Sequence, residues 1–226
     1  MKKRRRDRYD GDPGLDLLER ALHGFDNLVE AAVTDGNRVI GRGPSCTACT
    51  QPGCCSQLVV VSLAEALPMA RGLVRAGADG AAMRRRLVAV GDEQDRLGRE
   101  AWWRARRSCP LLRGGRCSMY ELRPVACRAY HAWSPPSMCQ PPSIEKVQTV
   151  DAVGATRALL QLSRELTREL GLNAEMAYFA NLPSMLSVAL EVLDRSTEDG
   201  VRLLWEHRFP RWDEVGSWFD GRPAIR

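Results

Sequence analysis

Apolar residues recur at three- and four-residue spacing along most of this chain, and that period predicts helices. From Leu15 the positions Leu18, Leu22, Phe25, Leu28 and Ala32 share one helical face, with Gly36 and the stretch 41–44 as the expected stop. Ser62 followed three residues later by Glu65 is a capping-box pattern, opening a helix that closes near Gly77. A longer helix is expected over 79–107, with Met83, Leu87, Val90, Leu97 and Ala101 on its inner side and Gly91 and Gly98 as its weak points. Leu159, Leu162, Leu166 and Leu170 form another stripe, ended by Gly171. A further helix follows Pro183, with Met185, Val188, Ala189 and Val192 facing inward. Only 57–61 reads as a short strand. The pattern predicts a mostly α, compact helical domain with irregular cysteine-rich loops.

Those loops hold all eight cysteines of the chain. The first block contains Cys46, Cys49, Cys54 and Cys55; the second contains Cys109, Cys117 and Cys127, with Cys139 a little beyond. Two intervening residues let Cys46 and Cys49 turn toward one ion, and Pro52 and Gly53 bend the chain back for Cys54 or Cys55. Adjacent cysteines project in different directions, so Cys54 and Cys55 serve either two sites or one ligand and one packing position. The second block has seven, nine and eleven residues between successive cysteines. Zinc sites usually pair two short knuckles, whereas open spacings suit a larger cluster whose irons present separate corners. Iron–sulfur or iron is therefore the preferred occupant, and zinc the alternative. His131 lies nearby and is read as a supporting or surface residue, not a ligand.

Around the second block, Gly114-Gly115 allows a tight turn within the loop 108–118, and Pro124 suits the first turn of a short helix carrying Cys127, Arg128 and Tyr130. Trp205, Trp212 and Trp218 are expected to pack a small helical cap onto the body.

Composition narrows the setting. A chain of 226 residues that is 44% hydrophobic and 27% charged suits one ordinary globular domain, taken here as 11–226. Residues 1–10, with Lys2, Lys3, Arg4, Arg5, Arg6 and Arg8, read as a solvated basic tail. The longest apolar runs, such as 58–63, are far short of a membrane span, and no apolar stretch follows the charged start as a secretion signal would. The expectation is a cytoplasmic protein with no membrane partner. In a reducing cytosol, eight cysteines point to metal ligation before disulfides.

The string CPLLRGGRCSMYELRPVACRAY resembles the cysteine-cluster family named for its CxxCxxCC motif, also called YkgJ-like and described as a zinc- or iron-chelating domain. It has the family's Cys-Pro, glycine-bearing turn, Cys-x-x-Tyr, Arg-Pro and Cys-Arg. The first block departs from the pattern, with four residues instead of two between Cys49 and Cys54. The resemblance covers 46–130 and implies metal binding by Cys46, Cys49, Cys54, Cys55, Cys109, Cys117 and Cys127. Cys139, beyond the core motif, completes the candidate ligand set. Arg123 and Arg128 match family positions as well, and their charge would offset a thiolate-rich centre. Tyr120 is expected to pack over the site.

The expectation is a metal-binding protein with a structural or redox role, working with an unidentified protein partner or alone. A cluster-dependent enzyme akin to the flagellin lysine methylases, which contain a similar cysteine domain, is an alternative. No acid–base constellation accompanies it: the three histidines, at 23, 131 and 207, are scattered. A nucleic-acid-binding regulator using the basic tail and Arg104, Arg106 and Arg107 is the other alternative, with nucleic acid the weaker partner choice.

Overall fold

Helix α1 (Pro13–Ile40) starts the computed structural model, which describes residues 11–48, 53–139, 147–150, 153–195, 197–207 and 209–211. Asp12 caps it, its carboxylate accepting the Leu15 N–H at 2.9 Å, and Pro13 fits the first turn, where no backbone donor is needed. The helix stops at Gly41, whose φ of 77° lets its N–H reach the Asn37 carbonyl at 2.8 Å. Gly36 does not end the helix. Its missing side chain makes room for the Trp133 indole, and a Cβ there would lie 2.3 Å from the ring. The indole Nε1–H is shared between Asn37 Oδ1 and the Arg42 carbonyl, each at 3.0 Å.

Two strand-to-helix units build the centre. Strand β1 (Val60–Ser62) runs straight into α2 (Leu63–Arg75), and the expected capping box is formed at Ser62 and Glu65. Helix α3 (Ala81–Arg104) follows, and further along the chain α5 (Val153–Glu169) leads to β4 (Phe179–Asn181), which runs straight into α6 (Leu182–Asp194). β1 and β4 pair antiparallel, with Val61 opposite Ala180. Three-residue strands are too short to show an alternating pattern, which is why β4 escaped the sequence reading. The ladder sets α2 against α6, burying Leu63, Ala66, Met69, Ala70 and Leu73 with Met185, Leu186, Ala189 and Leu190. Arg71, itself buried, ties α2 to α1 through Asp16 at 2.6 Å and also through Glu19.

α3 packs on α6 at Gly91, where a Cβ would stand 2.3 Å from Ser184 Oγ. Asn181 caps α6 through the Ser184 N–H at 2.9 Å and donates to Asp95 of α3 at 2.8 Å. At Gly98 the backbone leaves the helical region (φ 71°). Beyond that break the inner face is rotated, so Trp102 is buried and Ala101, expected inside, is exposed. α5 lies on α1, closing a second apolar cluster of Leu22, Phe25, Val29, Val125, Leu159 and Phe179. Leu162, Leu166 and Leu170 are half-buried against the main core, and Gly171 follows with φ 63°.

Helix α7 (Thr197–Glu206) packs on α6. It buries Leu204 but leaves Trp205 53% exposed, against the expectation that this tryptophan packs inward. Trp212, Trp218 and the basic tail lie outside the described residues. The observed architecture is the mostly helical, compact domain expected, and no helix among the described residues is long and apolar enough to cross a membrane.

Gly36→Ala is expected to cost about 1–3 kcal/mol, because the added methyl displaces a hydrogen-bonded, buried indole. Urea or thermal unfolding reads this as a lower midpoint; an unchanged midpoint would mean that the indole relocates without cost.

Candidate metal centre

Three short segments bring five of the cysteines within electrostatic range of one another. A 3-10 turn, Gly53–Ser56, holds Cys54 and Cys55 just before β1. A hairpin of β2 (Leu112–Arg113) and β3 (Arg116–Cys117) holds Cys117, with Cys109 at its entry. Its two-residue turn needs positive φ at both positions, which Gly114 (56°) and Gly115 (78°) supply. The one-turn helix α4 (Val125–Arg128), entered through Pro124, holds Cys127 and ends before Tyr130. The Cys109 N–H donates to the Cys55 carbonyl at 2.7 Å, joining the first block to the second.

The sulfurs sense one another. Cys54 is hydrogen-bonded to the Cys55 side chain, which raises its thiol pKa, with burial adding to the rise. Burial pushes the Cys109 thiol up to about 11, and neighbouring Cys117 adds to the shift. Burial also raises Cys117, which lies within electrostatic range of Cys54. Cys127 is raised by burial and then by Cys109, Cys54 and Cys117. Backbone N–H groups oppose these shifts by donating to sulfur: Leu111 and Leu112 to Cys109, and Met119 to Cys117. Arg86 near Cys109 and Arg123 near Cys117 also favour the ionised forms. The four thiols Cys54, Cys109, Cys117 and Cys127, raised this way, keep their protons unless a cation replaces them, as thiolate-bound metals do. The donor set therefore suits a soft metal in type. Coordination distance is another matter, since no three His, Cys, Asp or Glu side chains among the described residues are gathered closely enough to hold an ion as they stand. No disulfide joins any two described cysteines.

The other candidates are placed differently. Cys46 accepts the Ala132 N–H at 3.2 Å, next to the 2.7 Å bond from the Ser45 N–H to the Ala132 carbonyl. Cys49 lies outside the described residues. Cys139 is buried on the turn Pro136–Cys139 and hydrogen-bonds to the Tyr130 hydroxyl, which also accepts from Gln57 Nε2 at 2.8 Å. Tyr130 is half-buried and within electrostatic range of Cys54, nearer the thiols than the exposed Tyr120 that was expected there. Tyr120 is instead 58% exposed and supports the Arg123 guanidinium, 3.8 Å above its ring. Arg128 is committed to structure: it is buried, paired with Asp26 of α1 at 2.5 Å, and bonded to the carbonyls of Arg123 at 2.8 Å and of Glu121. His131 is half-buried, its pKa lowered by burial and then by Arg123, and its Nδ1 makes no hydrogen bond among the described residues. The basic cluster considered for nucleic acid is partly neutralised, Arg104 by Glu100 at 2.6 Å and Arg107 by Glu93 at 3.1 Å.

One residue near the site was recognised only for its local role. Glu65 caps its own helix with one carboxylate oxygen, accepting from the Ser62 N–H at 2.7 Å and the Ser62 hydroxyl at 2.9 Å. The other oxygen accepts the Val125 N–H at 2.8 Å, at the start of the turn that bears Cys127. Glu65 is wholly buried, and burial raises its pKa. The available signal was its setting: Leu63, Ala64, Ala66 and Leu67 leave a carboxylate there no polar neighbours along the helix.

Raised thiol pKa values set the sign of a pH effect in metal-free protein. Above the ordinary value of 9.0 the unfolded chain releases thiol protons that the folded chain retains, so stability present below that value is lost as pH rises through about 11. Urea unfolding of chelator-treated protein from neutral to alkaline pH should show this decline, and Cys109→Ala should flatten part of it. A parent profile without the decline would mean the thiols are not buried together. Compared with models of protein families, with curated proteins and with solved structures, the chain matches none.

Proposed function

We propose that this chain is a metal-binding cysteine-cluster protein whose centre is held by Cys54, Cys55, Cys109, Cys117 and Cys127, with an iron–sulfur cluster preferred over zinc and a structural or redox role. The observation that carries the proposal is that these half-buried thiols, from three segments, lie within electrostatic range of one another. The sulfur-rich, histidine-poor donor set favours iron–sulfur, and so do the open spacings within the second block. An iron–sulfur cluster, when bound, supplies one-electron redox chemistry and a covalent tie between the segments.

The chain's own residues tune such a centre. The amides of Leu111, Leu112 and Met119, with Arg86 and Arg123, stabilise negative charge on sulfur, which raises the reduction potential of a thiolate-ligated centre. Tyr130, bridged to Gln57 and Cys139, limits water at the edge nearest Cys54. Cys46 and Cys49 remain candidate ligands through the resemblance, whereas Cys139 is engaged by Tyr130 and is the peripheral member.

Protein purified anaerobically is expected to be brown, to absorb in the visible, and to contain iron with acid-labile sulfide. Colourless protein with stoichiometric zinc would replace the cluster by a zinc centre, and protein that takes up neither metal would overturn the proposal. Cys109→Ser and Cys127→Ser should each abolish metal binding and lower Tm together, since ligation across segments contributes folding free energy. Cys139→Ser should keep its full metal content; loss of metal in that variant would make Cys139 a ligand.

A further inference from the structure

We infer that Glu65 is a positioning residue for the cysteine centre, setting the place of Cys127 through the backbone of Val125; this rests on the metal-binding proposal above. A capping box uses only one carboxylate oxygen: Glu65 accepts the Ser62 N–H, and the Ser62 hydroxyl accepts the Glu65 N–H in return. The second oxygen of Glu65 crosses 60 residues of sequence to take the Val125 N–H at 2.8 Å. Val125 begins a helix only four residues long, too short to hold its own shape, and Cys127 is the third of those four. The same turn is held on its other side by Arg128, whose guanidinium reaches Asp26 on α1. Cys127 therefore sits on a turn clamped between α1 and α2. The α2 clamp is a wholly buried carboxylate. Of the donors that could have met this second oxygen, the fold supplies the one at the base of the Cys127 turn.

Cadmium(II) titration against a competing chelator tests the assignment, because cadmium–thiolate absorbance in the near ultraviolet reports ligation without any assay of activity. Glu65→Gln turns one acceptor into a donor facing a donor. Val125→Pro deletes the bond from the other side, leaving the charge of Glu65 in place at a position where proline fits. Asp12→Ala weakens the fold at the far end of α1 by uncapping it. The expected result is that Glu65→Gln and Val125→Pro, each still helical by circular dichroism, bind cadmium about 10–100-fold more weakly, while Asp12→Ala binds like the parent. If Glu65→Gln does not fold, Val125→Pro alone decides. Parent-like cadmium affinity in the folded Glu65 and Val125 variants would overturn the positioning role and leave the metal proposal standing. A parent chain that binds no cadmium would overturn the metal proposal, and the positioning role with it.

Discussion

A carboxylate sealed from water, Glu65, is the interaction on which the arrangement of this protein turns. Burying it raises its pKa, and the groups that meet it offset that cost. Ser62 contributes two donors and Val125 a third, and Arg128 lies within electrostatic range. Leaving one buried donor unmet costs about 1–3 kcal/mol, so the strand end at Ser62, the start of α2 and the turn at Val125 are held as one unit. Ser62 is also the residue of β1 opposite Phe179. The same knot therefore connects the central ladder, the main helical core and the cysteine loops.

The cysteine loops have little regular structure of their own, and their positions come from side chains that reach far along the chain. Arg128 grips Asp26 on α1, and Trp133 fills the gap that Gly36 leaves in that helix. The Trp133 carbonyl accepts from Arg42 at 3.0 Å and from Ser45 at 3.3 Å, which holds the chain around Cys46 in place. The Cys109 amide completes the connection to Cys55. The helical body thus acts as a frame, and the sulfur-bearing turns hang between its members. A metal bridging those turns, as proposed, would also join α1 to α2, which is what a structural role would mean physically.

Much of the fold was legible in the sequence because long helices repeat their signal. The stripes at Leu18, Leu22 and Phe25 and at Met185, Val188 and Ala189 lie where their spacing put them, and the Ser62–Glu65 box forms as read. Gly91 and Gly98 were seen as weak points, but spacing does not distinguish a glycine that admits a neighbour from one that breaks a helix. Gly91 is the first kind and Gly98 the second. Gly36 was misread for the same reason: the residue that needs its space, Trp133, is 97 positions away. For the candidate centre, the residue types and the hairpin at Gly114-Gly115 were readable. The division of labour among Tyr120, Tyr130, Arg123 and Arg128 was not.

The sequence by itself determined the helical class, the capping of α2, and the chemistry on offer, since thiolate softness and helical period are local properties of residues and their spacing. Only the tertiary structure decided which sulfurs face one another. It also gave Cys139 to Tyr130 and Arg128 to Asp26, and sent the second oxygen of Glu65 to Val125. Those outcomes depend on donors and acceptors from distant segments meeting where water is excluded. In that setting each buried polar group must find a partner, and the fold of the whole chain decides which one it finds.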